Sequence, residues 1–328
     1  MSLFARLKRI GIDTYMLLLI ATVFLATVLP ATGRGAVVLS HVAYYAIALL
    51  FFVYGAKLNT SAVVAGLTNW RLQFLVLAFT YIVFPLLGLG LFYSLKPFLD
   101  EFLGIGLLFL AVLPSTVQAS IAFTSLAQGN VPAAVCAASL SNVIGVFLTP
   151  ALAALLLQTS GSGINTDAIK GIALQILLPF ILGQLARPLI GGWIVRQKMF
   201  TLSVDRGSIL LIVYSAFSAG MVAGIWSQID GQMLAIVIGA DVLLLAVIIL
   251  LGSGVGRLAK LPREDRMALF FCGVTKSLAS GLPIANILFI GKPVSLIIVP
   301  LMLFHQIQLF VCAIIARRHA NRLVVVPG

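Results

Sequence analysis

The sequence predicts an all-α integral membrane protein with ten transmembrane helices, arranged as two inverted repeats of five helices each. First, 61% of the 328 residues are hydrophobic and only 9% are charged, more apolar surface than a soluble core buries. Second, apolar stretches of roughly 20 residues, long enough to cross a bilayer, recur along most of the chain. Third, the fourth helix of each half is interrupted by polar and helix-breaking residues.

The ten predicted helices are apolar runs bounded by Gly, Pro and charged residues. They are Tyr15–Leu29, Ser40–Gly55, Gln73–Tyr93, Phe102–Ala127, Pro132–Leu157, Ile169–Leu185, Ser208–Ile225, Gln232–Gly254, Met267–Phe289 and Pro293–Ala316. The first run follows Arg6, Lys8 and Arg9, as in a signal peptide. It is long for a signal-peptide core and no cleavage site follows it, so we interpret it as an uncleaved first helix.

Basic residues are distributed unequally between the two alternating sets of connections. Sixteen of the 21 Lys and Arg residues fall in the termini and one set of loops, four fall in the other set, and Lys276 lies within a predicted helix. Because cytoplasmic loops collect Lys and Arg, both termini are predicted to be cytoplasmic. The basic residues form no patch interleaved with aromatic residues, so nucleic acid is not an expected partner.

An odd number of helices in each half gives the two halves opposite orientations. The first repeat is predicted over residues 1–157 and the second over residues 171–328, with a flexible Ser- and Gly-rich linker over residues 158–170. Five helices per half make the second half enter the bilayer from the opposite side, which is the topology of an inverted repeat. Cys136, Cys272 and Cys312 each lie in an apolar run, so we expect neither disulfides nor a metal site.

Polar residues in the two interrupted helices are the main candidates for a binding site. They are Ser115, Thr116, Gln118 and Ser120 in the fourth helix and Thr275, Lys276, Ser277 and Ser280 in the ninth. Unwound backbone within hydrocarbon leaves N–H and C=O groups unsatisfied unless protein, water or a ligand pairs with them. The paired interruptions therefore predict a binding site; two proline kinks packed by neighbouring helices are the alternative.

Lys276 is the most informative of these residues, because an ammonium within the membrane costs at least ~2.5 kcal/mol. One interpretation is a structural ion pair with Asp241, the only acidic residue near the middle of a predicted helix. The other is that the ammonium faces an aqueous cavity, as a substrate ligand or as a fixed charge that replaces a coupling cation. Asn142, His305 and Gln306 are further candidates to line the site, since amides and imidazoles are costly to bury without partners.

Three features of the chain together resemble the bile acid:sodium symporter family. They are the ten predicted helices, Gly129-Asn130-Val131 after the interrupted helix, and Thr80-Tyr-Ile-Val-Phe-Pro85 in the third helix. Residues 276–283 and 304–308 resemble a poorly characterised branch of the family that bacteria and animals share. In a bacterium, such a protein is expected in the inner membrane.

The resemblance implies that the two interrupted helices cross. It also implies a panel domain of helices one, two, six and seven and a core domain of helices three to five and eight to ten. The implied substrate is a small organic anion, which would bind between core and panel and cross by alternating access. We expect the protein to function as a monomer in the lipid bilayer.

The positions that the resemblance assigns to coupling ions depart from the family pattern. These positions are Thr80, Ser120, Cys272 and Lys276, and Ser139 is a further candidate. No carboxylate remains among them, and Lys276 adds a positive charge. This charge would repel a cation bound ~4 Å away by ~4 kcal/mol at an effective dielectric constant near 20. The hypothesis is that the Lys276 ammonium occupies the space of one sodium ion. Uniport, exchange, proton coupling and single-ion coupling remain open, and no cofactor is expected besides sodium or a proton.

The sequence therefore predicts a secondary active transporter of a small organic anion; the alternative is a non-transporting accessory or regulatory membrane protein. An enzyme is disfavoured, because His41, His305 and His319 lie far apart along the chain and no acidic pair stands within a predicted helix for acid–base catalysis. A channel is disfavoured because no filter-like segment repeats.

Overall fold

The computed structural model describes residues 14–57, 69–159, 171, 173–224, 227 and 230–324, which form helices and turns and contain no β-strand. The helices are α1 (Thr14–Val28), α2 (Gly33–Lys57), α3 (Trp70–Leu95), α4 (Glu101–Ala111), α5 (Val117–Leu126), α6 (Val131–Thr159), α7 (Ala173–Arg196), α8 (Lys198–Val222), α9 (Gly231–Leu258), α10 (Arg263–Val274), α11 (Leu278–Leu288) and α12 (Val294–Val324). Arg6, Lys8, Arg9 and residues 160–170 of the predicted linker lie outside the described residues.

Among the described residues, eight helices are long and apolar enough to cross a membrane, by length and composition. They are α2, α3, α6, α7, α8, α9, α12 and the segment Arg263–Leu288, which contains α10 and α11. Large apolar side chains such as Leu189 and Leu250 are 89% and 72% exposed, as expected for surfaces that lipid covers. The all-α class is confirmed and the helices fit an integral membrane protein. Ten transmembrane helices and the inverted repeat stay predictions.

Both interruptions predicted from the sequence are present. The first break comprises residues 112–116, between α4 and α5, and the second break comprises residues 275–277, between α10 and α11. Each break is shorter than the sequence suggests, because Gln118 and Ser120 lie in α5 and Ser280 lies in α11. A short break leaves few backbone groups without helical partners, which limits its cost within a membrane.

Helix α3 contains a π-helical turn at Phe79–Val83. In this turn the N–H of Phe84 donates to the carbonyl of Phe79, five residues earlier. The next donor in the same register would be Pro85, which has no N–H. The carbonyl of Thr80 is therefore left without its helical donor and is available to another group.

The chain divides into two compact units, the first of which comprises Met1–Leu58, Ala154–Gly231 and Ala279–Val299. In this unit α2 and α7 pack at close range through glycines. A Cβ atom at Gly183 would overlap the carbonyl oxygen of Phe52, and one at Gly55 would overlap that of Phe180. Small residues at such contacts let two backbones approach, a common packing mode of membrane helices.

The second unit comprises Asn59–Ala153, Gln232–Leu278 and Pro300–Gly328, and it contains both breaks and the π turn. One buried apolar cluster in it joins α3, α6 and α10 through residues that include Leu72, Ala134 and Leu269. Ala134, Ala137 and Ala138 contribute the α6 side of this cluster, and their small side chains let α6 lie close to the other two helices.

Asp265 links three helices of this second unit near their ends. Its two carboxylate oxygens accept hydrogen bonds from Asn69 Nδ2 at 2.8 Å and Asn130 Nδ2 at 2.7 Å. Asn130 also caps α6, since its Oδ1 accepts from the N–H of Ala133 at 3.0 Å. The carboxylate thus fixes the start of α10 to the starts of α3 and α6.

Replacement of Asp265 by Ala is expected to destabilise this unit by about 2–3 kcal/mol, because two charge-assisted hydrogen bonds are lost and two amides lose their acceptor. Thermal unfolding in detergent measures the effect. Glu264→Ala is the matched control: this neighbouring side chain is exposed, and a change within about 0.5 kcal/mol is expected. Equal Tm values for the two variants would contradict the linking role of Asp265.

Candidate functional site

The backbone carbonyls of the last residue of α4 and of the first four residues of the first break accept hydrogen bonds from other parts of the second unit. The carbonyls of Ala111 and Leu113 accept from Lys276 Nζ at 2.8 and 2.7 Å. The carbonyl of Val112 accepts from Thr149 Oγ1 at 2.9 Å. The carbonyl of Pro114 accepts from the N–H of Ser277 at 2.8 Å, and that of Ser115 accepts from Asn142 Nδ2 at 2.8 Å. The two breaks therefore contact each other directly. Unwound backbone at this depth is tolerated because protein groups replace the helical partners.

The Lys276 side chain is fully buried and its ammonium is surrounded by backbone oxygens. Nζ donates to the carbonyls of Thr80, Ala111 and Leu113 at 2.9, 2.8 and 2.7 Å. The nitrogen also lies 4.1 Å from the centre of the Phe84 ring, within the range of a cation–π interaction. An ammonium has three N–H donors, so these three carbonyls saturate it.

The backbone of Lys276 is held by the side-chain amide of Gln308 on α12. The N–H of Lys276 donates to Oε1 of Gln308 at 2.8 Å, and Nε2 of Gln308 donates to the carbonyl of Lys276 at 2.8 Å. His305 adjoins this pair, with its Nδ1 2.9 Å from Gln308 Nε2. One glutamine therefore supplies both backbone partners that a regular helix would have supplied.

Four buried hydroxyl groups connect the two breaks beside this lysine. Thr275 Oγ1 lies 2.7 Å from Ser120 Oγ, 2.9 Å from Thr116 Oγ1 and 3.2 Å from Ser115 Oγ, all within hydrogen-bonding distance. Ser120 and Thr275 also donate to the carbonyl of Phe271, at 3.1 and 2.9 Å. The cluster binds α5 to the end of α10 with neutral groups only.

The chain is similar in sequence to a known family of transporters. The sequence profile of the SBF-like CPA transporter family matches residues 13–321. The chain belongs to this transporter family. The resemblance to the bile acid:sodium symporter family is thereby confirmed, and the protein is a multi-pass membrane protein of a transporter family.

Relatives along the whole chain include two bacterial proteins and one from an animal. A Pseudomonas aeruginosa protein, PA2026, is 51% identical over 311 residues, which cover 94% of this chain and 93% of the relative. The symporter YfeH of Escherichia coli K12, so named, is 45% identical over 312 residues, with 95% and 94% covered. The mouse protein named sodium/bile acid cotransporter 7 is 28% identical over 282 residues, with 84% and 82% covered.

Lys276 and Asp241 form no ion pair, so the first of the two interpretations of Lys276 is not observed. Asp241 is fully buried in α9, but neither of its carboxylate oxygens has a hydrogen-bond partner among the described residues. The carbonyls freed by the π turn and the first break already saturate the ammonium. Because the three N–H groups of the Lys276 ammonium donate to these carbonyls, they are not directly available to a substrate.

Several other predicted site residues lie outside the contacts between the two breaks. Gln118 is exposed on α5, Ser139 is half-buried on α6, and Gln306 is half-buried with an Oε1 that has no hydrogen-bond partner among the described residues. Ser280 is buried in the part of α11 that belongs to the first unit. Cys272 donates only a long hydrogen bond, 3.6 Å, to the carbonyl of Ala134.

Thr80 contributes to the site through its backbone rather than its side chain. Its hydroxyl donates to the carbonyl of Val76 at 2.8 Å, within α3, while its own carbonyl accepts from Lys276. Gln308, Phe84 and Thr149 complete the site and were not among the predicted site residues. The sequence contained a signal for the contact between the carbonyl of Thr80 and Lys276, because Pro85 has no N–H that could donate to this carbonyl.

Gln308→Leu is expected to lower the free energy of unfolding by about 2–3 kcal/mol. The substitution leaves the buried backbone N–H of Lys276 without an acceptor, and it removes a donor from the backbone carbonyl of Lys276. The apparent Tm in detergent measures the loss. Gln306→Leu on the same helix is the matched control and should change stability by no more than about 0.5 kcal/mol. If Gln308→Leu unfolded at the control temperature, the amide would not be holding the lysine.

Proposed function

We propose that this protein is a secondary active transporter that carries a small organic anion by alternating access. The observation that carries the proposal is the pair of breaks, joined around a buried lysine, in a chain of a transporter family. Interrupted helices of this kind surround substrate and ion sites in secondary transporters. The printed names of two relatives, a symporter and a cotransporter, support the same class of function.

An anion is proposed as the substrate because of the charge at the breaks. Lys276 brings a positive charge, and no ion pair with Asp241 neutralises it. Helices α5 and α11 also begin at the breaks, and helix N-termini carry partial positive charge. The name of the mouse relative mentions sodium and bile acid. Bile acid is not transferred to this chain, and sodium is kept only as a candidate coupling ion because the positions for its ligands differ.

The polar residues at the breaks divide into two groups in this proposal. Exposed or half-buried groups hold the anion: Gln118, Asn142, His305 and Gln306. Buried groups keep the breaks in contact: Ser115, Thr116, Ser120, Thr275 and Ser277. Lys276 acts on the anion through its field rather than through a hydrogen bond.

The remaining features of the proposal follow from the sequence. They comprise ten transmembrane helices in two inverted repeats, a panel and a core domain, cytoplasmic termini, a location in the bacterial inner membrane and function as a monomer. Sodium or a proton is the candidate coupling ion, bound with fewer ligands than in sodium-coupled members of the family.

Counterflow in proteoliposomes tests the proposal. Unlabelled anion trapped inside should accelerate uptake of the same labelled anion several-fold, and a screen for anions that raise the Tm identifies the compound to use. Absence of counterflow across a broad panel of organic anions would favour an accessory protein. A screen in which only cationic or neutral compounds raise the Tm would contradict an anionic substrate.

A further inference from the structure

The surroundings of the Lys276 ammonium have the chemistry of a cation-binding site. Three carbonyl oxygens lie 2.7–2.9 Å from Nζ and one aromatic face lies 4.1 Å away. Carbonyl oxygens and aromatic faces both attract cations, and rings of carbonyls replace the hydration shell of ions in selective channels. The positive charge of Lys276 is therefore stabilised by the carbonyl dipoles and the aromatic ring rather than by a carboxylate.

These carbonyls are directed at one point by features that do not involve the lysine. Pro85 withholds the donor that the carbonyl of Thr80 would accept in the π turn, and the end of α4 leaves the carbonyls of Ala111 and Leu113 without helical donors. A chain with a small residue at position 276 would hold the same three acceptors around a space. Such a space in hydrocarbon needs a cation or other donor to be stable.

The lysine is also fixed from the other side. Gln308 holds the N–H and the carbonyl of Lys276, and the N–H of the next residue, Ser277, donates to the carbonyl of Pro114. Because its backbone is held in this way, the ammonium stays attached within reach of the carbonyls. A diffusible ion at this place would be released whenever its concentration fell.

We propose that the Lys276 ammonium is a built-in cation that takes the place of a diffusible coupling ion and permanently joins the π turn of α3 and the first break to the second break. The role as a substitute for a coupling ion rests on the proposed transport function. The binding chemistry does not, because it concerns only contacts within the second unit. The second unit thus keeps its arrangement in buffers that contain no sodium.

Rescue of Lys276→Ala by small cations tests the proposal. The substitution removes the atoms of n-propylammonium, so this cation fits the vacated space and its three N–H groups face the same carbonyls. In a buffer with only choline as cation, the variant should lose about 6–12 °C in apparent Tm. n-Propylammonium should restore most of this loss in a saturable manner, and sodium should restore part of it.

Two controls separate this effect from a general effect of salt. Lys276→Met keeps most of the aliphatic chain without a charge and leaves no room for the propyl group, so n-propylammonium should not raise its Tm. Wild-type protein should have the same Tm in n-propylammonium and in choline, because the site already contains its cation. Choline is the blank throughout, since its quaternary nitrogen has no N–H to donate and its three methyl groups are too bulky for the space of one primary ammonium.

The proposal is overturned if folded Lys276→Ala responds to neither cation, or if n-propylammonium raises the Tm of Lys276→Met as strongly as that of Lys276→Ala. Should Lys276→Ala not fold in choline, the yield of monodisperse protein extracted in n-propylammonium becomes the measurement. Lys276→Ser, whose hydroxyl adds an oxygen ligand, is measured in parallel. Failure of both variants to yield folded protein with any of the cations also overturns the proposal. Rescue by cations does not depend on transport, so a failed counterflow assay leaves its result unaffected.

Discussion

Lys276→Met is expected to abolish counterflow and to lower the apparent Tm by about 6–12 °C. The substitution keeps most of the apolar part of the side chain but leaves the buried carbonyls of Thr80, Ala111 and Leu113 without their donor. Each buried acceptor without a partner costs about 1–3 kcal/mol, so a total of at least about 3 kcal/mol is expected. Loss of the ammonium also loosens the contact between the breaks, which the proposed transport requires.

Lys96→Met is the matched control for Lys276→Met. Lys96 is exposed in the turn after α3, so its loss removes the same charge without disturbing the interior. The control should keep its Tm within about 2 °C and retain counterflow. A Lys276→Met protein with wild-type Tm and wild-type counterflow would show that the ammonium contributes neither to the stability of the breaks nor to transport.

Gly183→Ala is expected to destabilise the protein by about 2–3 kcal/mol, a large effect for one methyl group. The added Cβ would overlap the carbonyl oxygen of Phe52, which is backbone and has no rotamer that could relieve the overlap. Helices α2 and α7 would have to separate, and the contact at Gly55 with Phe180 would loosen with them. Thermal unfolding in detergent measures this loss.

Gly192→Ala, on the same helix, should have the opposite sign. The nearest heavy atom to its added Cβ is the Nη2 of Arg196, the end of a flexible side chain, at 3.8 Å. Without a clash, Gly→Ala in a helix interior favours the helix by up to about 1 kcal/mol. Similar Tm values for the two variants would contradict the close approach of α2 and α7.

The sequence was sufficient to locate both breaks and to identify Lys276. Pro114 and the polar residues after it interrupt an apolar run, and a charge within such a run is conspicuous because hydrocarbon penalises it. These signals are local, so they can be seen without knowing which helices are neighbours. The same holds for the all-α class, which follows from the apolar composition.

The partners of Lys276 could not be deduced in this way. Asp241 was the plausible partner because pairing of opposite charges is the usual way to bury them, yet the ammonium binds backbone carbonyls, which every residue possesses. The part played by Gln308 depends on where α12 lies relative to the second break. Gln306 and Gln308 look alike in the sequence, and only their positions on the helix separate them.

The π turn at Phe79–Val83 sets the phase of the rest of α3. A π turn places one additional residue in the helix, and one residue corresponds to a rotation of about 100°. Deletion of a single residue from this turn would rotate every later side chain of α3, and the Phe84 ring would no longer face Lys276. Single-residue insertions and deletions in this turn should therefore be more damaging than most substitutions. A sequence alignment that ignores this additional residue would assign the residues after the turn to the wrong face of α3.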